Sequence, residues 1–182
     1  WPYLSLKMLR ELQSNIIAGN HDRMVCKGYR DSRLIKSLKE QYGSGHEVAV
    51  KELSGKDISW MNDLPDSRDL SIQERSVHLC HGSPWDSDQY IYPDSPPEVW
   101  AEVAKLGFDV VSYGHTHYAS VVRSGNTMIV NPGSVGQPRD RRGGAQWAIW
   151  NVDDNSVRLR RENYDYKKII KQWEVADQHL EY

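Results

Sequence analysis

The apolar pattern changes period about a third of the way along the chain, and that change limits the fold more than any other feature. Up to about residue 64, apolar residues recur every three to four positions. Beyond it they come as short runs or alternations separated by turn residues. Leu4, Met8, Leu9 and Leu12 predict a helix over 2–12. Leu34, Ile35 and Leu38 mark a second helix. Ile58, Met61 and Leu64 mark a third, N-capped by Ser54 with Asp57 three residues on. Ile16-Ile17-Ala18, an apolar run ending at Gly19, reads as a buried strand.

After the change, Leu70 and Ile72 pair with Val77 and Leu79 across a turn at residues 73–75. Pro96-Pro97 opens a helix through Val99, Val103 and Leu106, closed by Gly107. A strand follows over 108–113. Val121-Val122 and Met128–Val130 form a hairpin around Ser124-Gly125-Asn126. Trp147–Trp150 and Val157–Arg161 form another around Asp153-Asp154-Asn155. A last helix runs from about Tyr166 to Leu180, with Ile169, Ile170 and Trp173 as its stripe. Helices and strands mixed in this way make an α/β chain whose sheets need helical cover. Its 182 residues suit one domain.

Composition removes other classes. Net charge is −2, so there is no electrostatic footprint for nucleic acid or a membrane surface. Seven Trp and ten Tyr argue against disorder. No apolar run reaches membrane-spanning length. Cys26 and Cys80 are too few for a disulfide framework and read as reduced, packed thiols of a cytoplasmic protein.

Chemistry concentrates in four segments, each after a predicted strand: Gly19-Asn20-His21-Asp22, His81-Gly82, Gly114-His115-Thr116-His117 and Asn131-Pro132-Gly133-Ser134. Loops at strand C-terminal ends are where sites form in α/β sheets. A lone histidine in a loop is most often a bystander. Four of the seven here sit in such glycine-containing loops, so the set outweighs its members. Imidazole nitrogens and an Asn oxygen suit divalent Mn, Fe, Ni, Co or Zn. His115 and His117 point the same way if the segment is extended, or reach neighbouring ions if it is a tight turn. Two such ions clamp a phosphate and make a hydroxide nucleophile at neutral pH, and a nearby imidazolium protonates the leaving oxygen.

These four segments, in this order and spacing, resemble the calcineurin-like metallophosphoesterases, closest to the small bacterial and archaeal phosphodiesterase branch. The likeness covers residues 15 to about 140 and includes the run Asn131–Arg139. It implies a four-layer α/β/β/α sandwich of two mixed sheets and hydrolysis of a small phosphodiester or nucleotide at a dinuclear centre. It implies Asn20, His81 and His115 as ligands of the second metal, His117 as a ligand of the first, and His21 as the catalytic acid. Arg139 is a candidate for substrate phosphate, with a surface salt bridge as the competing reading.

The family also opens with Asp-x-His and Gly-Asp-x-x-Asp strands, which are not found here. Trp1 falls where the helix after the second motif begins. The resemblance therefore implies a fragment lacking its first two βα units, weakly active or inactive alone. Two absent apolar strands fit the hydrophobic share of 38%. A non-catalytic scaffold or protein-interaction module on the same fold is the alternative, against which His21 is retained. Nucleic acid and homo-oligomer partners stay open.

Other residues carry blander readings. His78 is expected to be structural, and His46 and His179 to lie on the surface. The clusters Arg139–Arg142 and Arg158–Arg161 read as solvated faces. Trp85, Tyr90 and Tyr92 read as packing the loop from Gly82 to Pro97, and Trp147 and Trp150 as packing on opposite faces of a strand.

Overall fold

A computed structural model describes residues 1–177, the side chain at 173 excepted. The chain divides into two compact units. One is Trp1–Pro65 with the described chain from Lys167; the other is Asp66–Tyr166.

The first unit is helical: α1 (Pro2–Glu11), α2 (Asn20–Gly28), α3 (Ser32–Tyr42), α4 (Gly45–Glu52) and α5 (Gly55–Asn62), with α7 (Tyr166–Ala176) returning to it. Local chemistry explains the boundaries. Asp31 accepts the amides of Arg33 and Leu34 and starts α3. Ser54 and Asp57 form the expected capping box of α5. Gly43, at φ 83°, ends α3 in a conformation that disfavours any other residue. Leu6, Val25, Ala49, Leu53, Ile58 and Met61 make one core cluster. Arg10 bridges from α1 to Asp57 at 2.7 Å and lies over the Trp60 ring. Asp177 accepts the amide and hydroxyl protons of Ser44.

Three expectations for residues 1–22 change. Residues 16–18 form no strand; no ladder partner runs beside them among the described residues, and the Ala18 amide donates to the Pro65 carbonyl instead. Gly19–Asp22 is no loop: Gly19 is the N-cap, and Asn20, His21 and Asp22 are the first turn of α2. There the Asp22 carboxylate accepts the Gly19 amide at 2.7 Å. In α1 the buried residue is Leu6, while Leu4, Met8, Leu9 and Leu12 are exposed. The last helix is observed to Ala176; Leu180 and His179 lie outside the described residues.

The second unit is built on a five-stranded mixed sheet of β1 (Ser67–Ile72), β2 (Arg75–Cys80), β3 (Val110–Ser112), β4 (Ser120–Ser124) and β5 (Thr127–Asn131). Its order is β1-β2-β3-β5-β4. The outer pairs are antiparallel hairpins, and the inner pairs β2–β3 and β3–β5 are parallel. The parallel β2–β3 connection contains α6 (Pro97–Ala104), the crossover that parallel strands require.

Alternation sorts the side chains of this sheet. Cys80, Val111, Tyr113 and Ile129 meet Trp100 and Val103 of α6 and Ile91 of the long loop. Val77, Val110, Met128 and Val130 meet Ala148, Trp150 and Val157 of a second sheet. That sheet is the antiparallel pair β6 (Ala145–Asn151) and β7 (Ser156–Glu162). Helix, mixed sheet and second sheet thus stack as three layers within this unit. Trp150 packs inward while Trp147 faces out, as strand alternation requires. No helix among the described residues is long and apolar enough to cross a membrane.

Candidate metal centre

The parallel pairing of β2 with β3 brings their C-terminal ends side by side. His81 is the residue after β2. His115 lies three residues past β3, and the Gly114 amide donates to the His81 carbonyl at 2.8 Å. His115 and His117 both adopt left-handed backbone, φ 64° and 60°, so the segment is a tight turn rather than extended. The two imidazoles consequently have different partners.

His115 Nδ1 is 3.1 Å from His81 Nε2, and His115 Nε2 is 3.2 Å from the Asp88 carbonyl. A carbonyl only accepts, so His115 carries its proton on Nε2 and presents the Nδ1 lone pair toward His81. Tyr90 stacks on the same ring at 3.9 Å between centroids. It does more than pack the loop, and both it and Tyr92 are exposed. His117 donates from Nδ1 to the Gln137 carbonyl at 2.9 Å.

This donor set fits a divalent ion. Two nitrogens that each lie ~2.1 Å from one ion stand at most about 4.2 Å apart, and His81 and His115 meet that condition. In each of His115 and His117 the nitrogen not offered to an ion is held by a backbone carbonyl, the arrangement that fixes tautomer and ring orientation in metal sites. Among the described residues, no three His, Cys, Asp or Glu side chains group closely enough to hold one ion. Cys80 is no further ligand: burial pushes its thiol pKa up to about 12, and the sulfur lies 3.5 Å from the Gly82 carbonyl.

Asn131 braces the centre, a role not foreseen in the sequence. It is fully buried. Its amide nitrogen donates to the Gly114 carbonyl and to the Thr116 hydroxyl, and its oxygen accepts the Gly133 amide. In the sequence it opens the fourth of the chemistry-bearing segments, with no role of its own assigned. Arg139 is exposed, and its backbone amide donates to the His117 carbonyl at 3.2 Å. His78 is buried against Asp69 at 2.6 Å, the structural part expected of it.

In the helical unit, Asn20 is half-buried and His21 exposed on the first turn of α2. His21 Nδ1 lies 2.8 Å from Nε2 of His46. His46 is not a surface residue: it is 6% exposed, in the first turn of α4. Burial first, and then the neighbouring His21, lower its pKa.

Comparison with known proteins gives a consistent answer. Residues 3–155 match the family model of the calcineurin-like phosphoesterase superfamily domain. The chain is 26% identical, over 195 aligned positions, to an uncharacterised protein of Methanocaldococcus jannaschii. The match covers 93% of this chain and 75% of that one. A hypothetical protein of Pyrococcus horikoshii has a similar structure, with TM-score 0.81 and 21% identity over 95% of this chain and 72% of the other. A metallophosphoesterase of Sphaerobacter thermophilus is also similar, with TM-score 0.72 and 22% identity over 94% of this chain and 75% of the other. Both solved structures share this fold.

Proposed function

The chain belongs to the calcineurin-like phosphoesterase superfamily, and from that premise we propose that it serves metal-dependent hydrolysis of phosphodiesters. The observation that carries the reading is the His81–His115 pair at 3.1 Å, with the far nitrogen of His115 held by a backbone carbonyl. In the sheet unit, His81, His115 and His117 are assigned as metal ligands; in the helical unit, Asn20 supplies a neutral oxygen. Two divalent ions held there, Mn, Fe, Ni, Co or Zn, would supply Lewis acidity toward phosphate oxygens and would make water a nucleophile near neutral pH.

His21 gives its proton to the leaving oxygen, so that water and a diester become a monoester and an alcohol. The Asp88 and Gln137 carbonyls keep His115 and His117 from turning their protonated nitrogens inward. Arg139, beside His117 in the backbone network, is assigned to substrate phosphate. The substrate class is a small phosphodiester or nucleotide. Two thiols without a disulfide suit a cytoplasmic setting.

The test is hydrolysis of bis(p-nitrophenyl) phosphate against p-nitrophenyl phosphate, with Mn²⁺ and with chelator. The expected result is slow, ion-dependent turnover that favours the diester and falls about 100-fold in His115→Ala. Mn²⁺ binding at His81 and His115 with no hydrolysis of either ester would instead favour a scaffold.

A further inference from the structure

We propose that the tyrosine row beside His115 is a stacking platform for a nucleobase, so that the diester cleaved here carries a nucleoside on one side of its phosphate. This rests on the proposed hydrolysis and names the substrate class it takes. The row lies wholly in the sheet unit. Tyr90 stacks on the His115 ring with centroids 3.9 Å and planes 28° apart. Tyr92 follows at 5.7 Å, its plane within 8° of that of Tyr90. Tyr118, the residue after His117, stands edge-on to Tyr92 at 6.1 Å. The row therefore starts on one assigned metal ligand and ends beside another.

Loop packing does not account for these rings. Ile91, between the two tyrosines, is 2% exposed and joins the core cluster of Trp100 and Val111. Tyr90 is 45% exposed and Tyr92 40%. Ile91 thus anchors the segment while its neighbours hold ring surface in water, where it forgoes the gain of burial until a ligand covers it. The segment is also fixed on both sides. The Asp88 carbonyl meets His115 Nε2 at 3.2 Å, and the Ser95 amide donates to the Tyr92 carbonyl at 2.9 Å. Trp100 Nε1 donates in turn to the Ser95 carbonyl at 3.0 Å. Rings already held in place lose little freedom when a ligand arrives.

The ring geometry selects the ligand. Near-parallel rings present flat tiers, which suit another flat ring. A quaternary ammonium group is instead boxed by ring faces that converge on it. Every nucleobase has a face to stack, so such a platform recognises a base without choosing among bases. Two stacking steps separate Tyr92 from His115, and one sugar separates a base from its phosphate. A base on the tyrosines can therefore keep its phosphate at the ligands.

The experiment uses three esters with the same p-nitrophenolate leaving group in Mn²⁺: the p-nitrophenyl ester of thymidine monophosphate, methyl p-nitrophenyl phosphate and p-nitrophenyl phosphorylcholine. In the parent protein, kcat/KM is expected to favour the thymidine ester over the methyl ester about 10–100-fold, mainly through KM. Tyr92→Ala is expected to erase most of that preference, and Tyr92→Phe to keep it, because phenylalanine also stacks. A parent that does not prefer the thymidine ester, or a preference that survives both Tyr92→Ala and Tyr90→Ala, would overturn the proposal. So would a preference for the choline ester over the thymidine ester, which would make the row a cation site.

Ring-proton NMR gives a readout independent of turnover. With Zn²⁺ present, adenosine monophosphate is expected to shift the Tyr90 and Tyr92 ring signals, and ribose phosphate to leave them in place. Equal responses to the two compounds, or none to either, would also overturn the proposal. If the parent hydrolyses none of the three esters, the proposed reaction fails, and the NMR comparison alone decides the platform.

Discussion

A β-carbon added at Gly82 would lie 2.6 Å from the Ser87 carbonyl oxygen and 2.8 Å from those of Asp86 and Gln89. Backbone atoms, unlike the end of a flexible side chain, have little room to yield. The loop that packs this tightly carries the Asp88 carbonyl, which holds the His115 ring. Gly82→Ala is therefore expected to cost about 1–3 kcal/mol of stability through overpacking. It should also weaken Mn²⁺ binding at His115. Urea denaturation checks the first effect and Mn²⁺ titration the second; a variant with unchanged stability would show that the loop gives way easily.

At this scale the sequence was informative about identity and silent about conformation. His21, His81, His115 and His117 were visible because glycines and apolar runs framed them. That two imidazole-bearing residues sit in left-handed backbone was not visible, because only the folded surroundings over-determine such strain. His46 carried no signal either, since its burial comes from packing between helices far apart in sequence.

Among the elements, the β1–β2 hairpin turns through Gln73 and Glu74, both with positive φ, 48° and 66°. A two-residue turn of this hand favours Asn-Gly, and neither native residue adopts it readily. Both are exposed, so nothing else is disturbed by changing them. Gln73→Asn with Glu74→Gly is expected to raise stability by about 1 kcal/mol, or about 2–4 °C in Tm for a chain of this size. Calorimetry of the double variant tests it, and a lower Tm would mean that the native side chains contribute more than the backbone strain removes.

Elements whose ends carry chemistry were the ones legible beforehand. Ser54 and Asp57 announced α5, and Ser124-Gly125-Asn126 announced the β4–β5 turn. Two signals misled. Periodicity shows that a helix has an apolar face, not what covers it, and in α1 the apolar stripe is exposed. An apolar triplet such as 16–18 becomes a strand only if another strand accepts its hydrogen bonds. The start of α2 could have been seen, because Asp22 stands three residues after Gly19, where it can accept the N-cap amide.

For the whole molecule, an ion that binds the folded chain and not the unfolded one must raise its stability by mass action. His81 and His115 approach each other because β2 and β3 are parallel neighbours, a juxtaposition absent from an unfolded chain. At a Mn²⁺ concentration 100-fold above Kd the gain is about 2.7 kcal/mol, or roughly 5–10 °C in Tm for this length. Protons compete for the same nitrogens, since imidazole binds an ion only when deprotonated. The shift should therefore shrink as the pH is lowered. Replacing both His81 and His115 with Ala should abolish it at every pH, and chelator should reverse it in the parent. Differential scanning calorimetry of the two proteins, with and without Mn²⁺, makes the comparison. A shift that persists in the double variant would place the stabilising ion elsewhere and remove the centre on which the proposed hydrolysis depends.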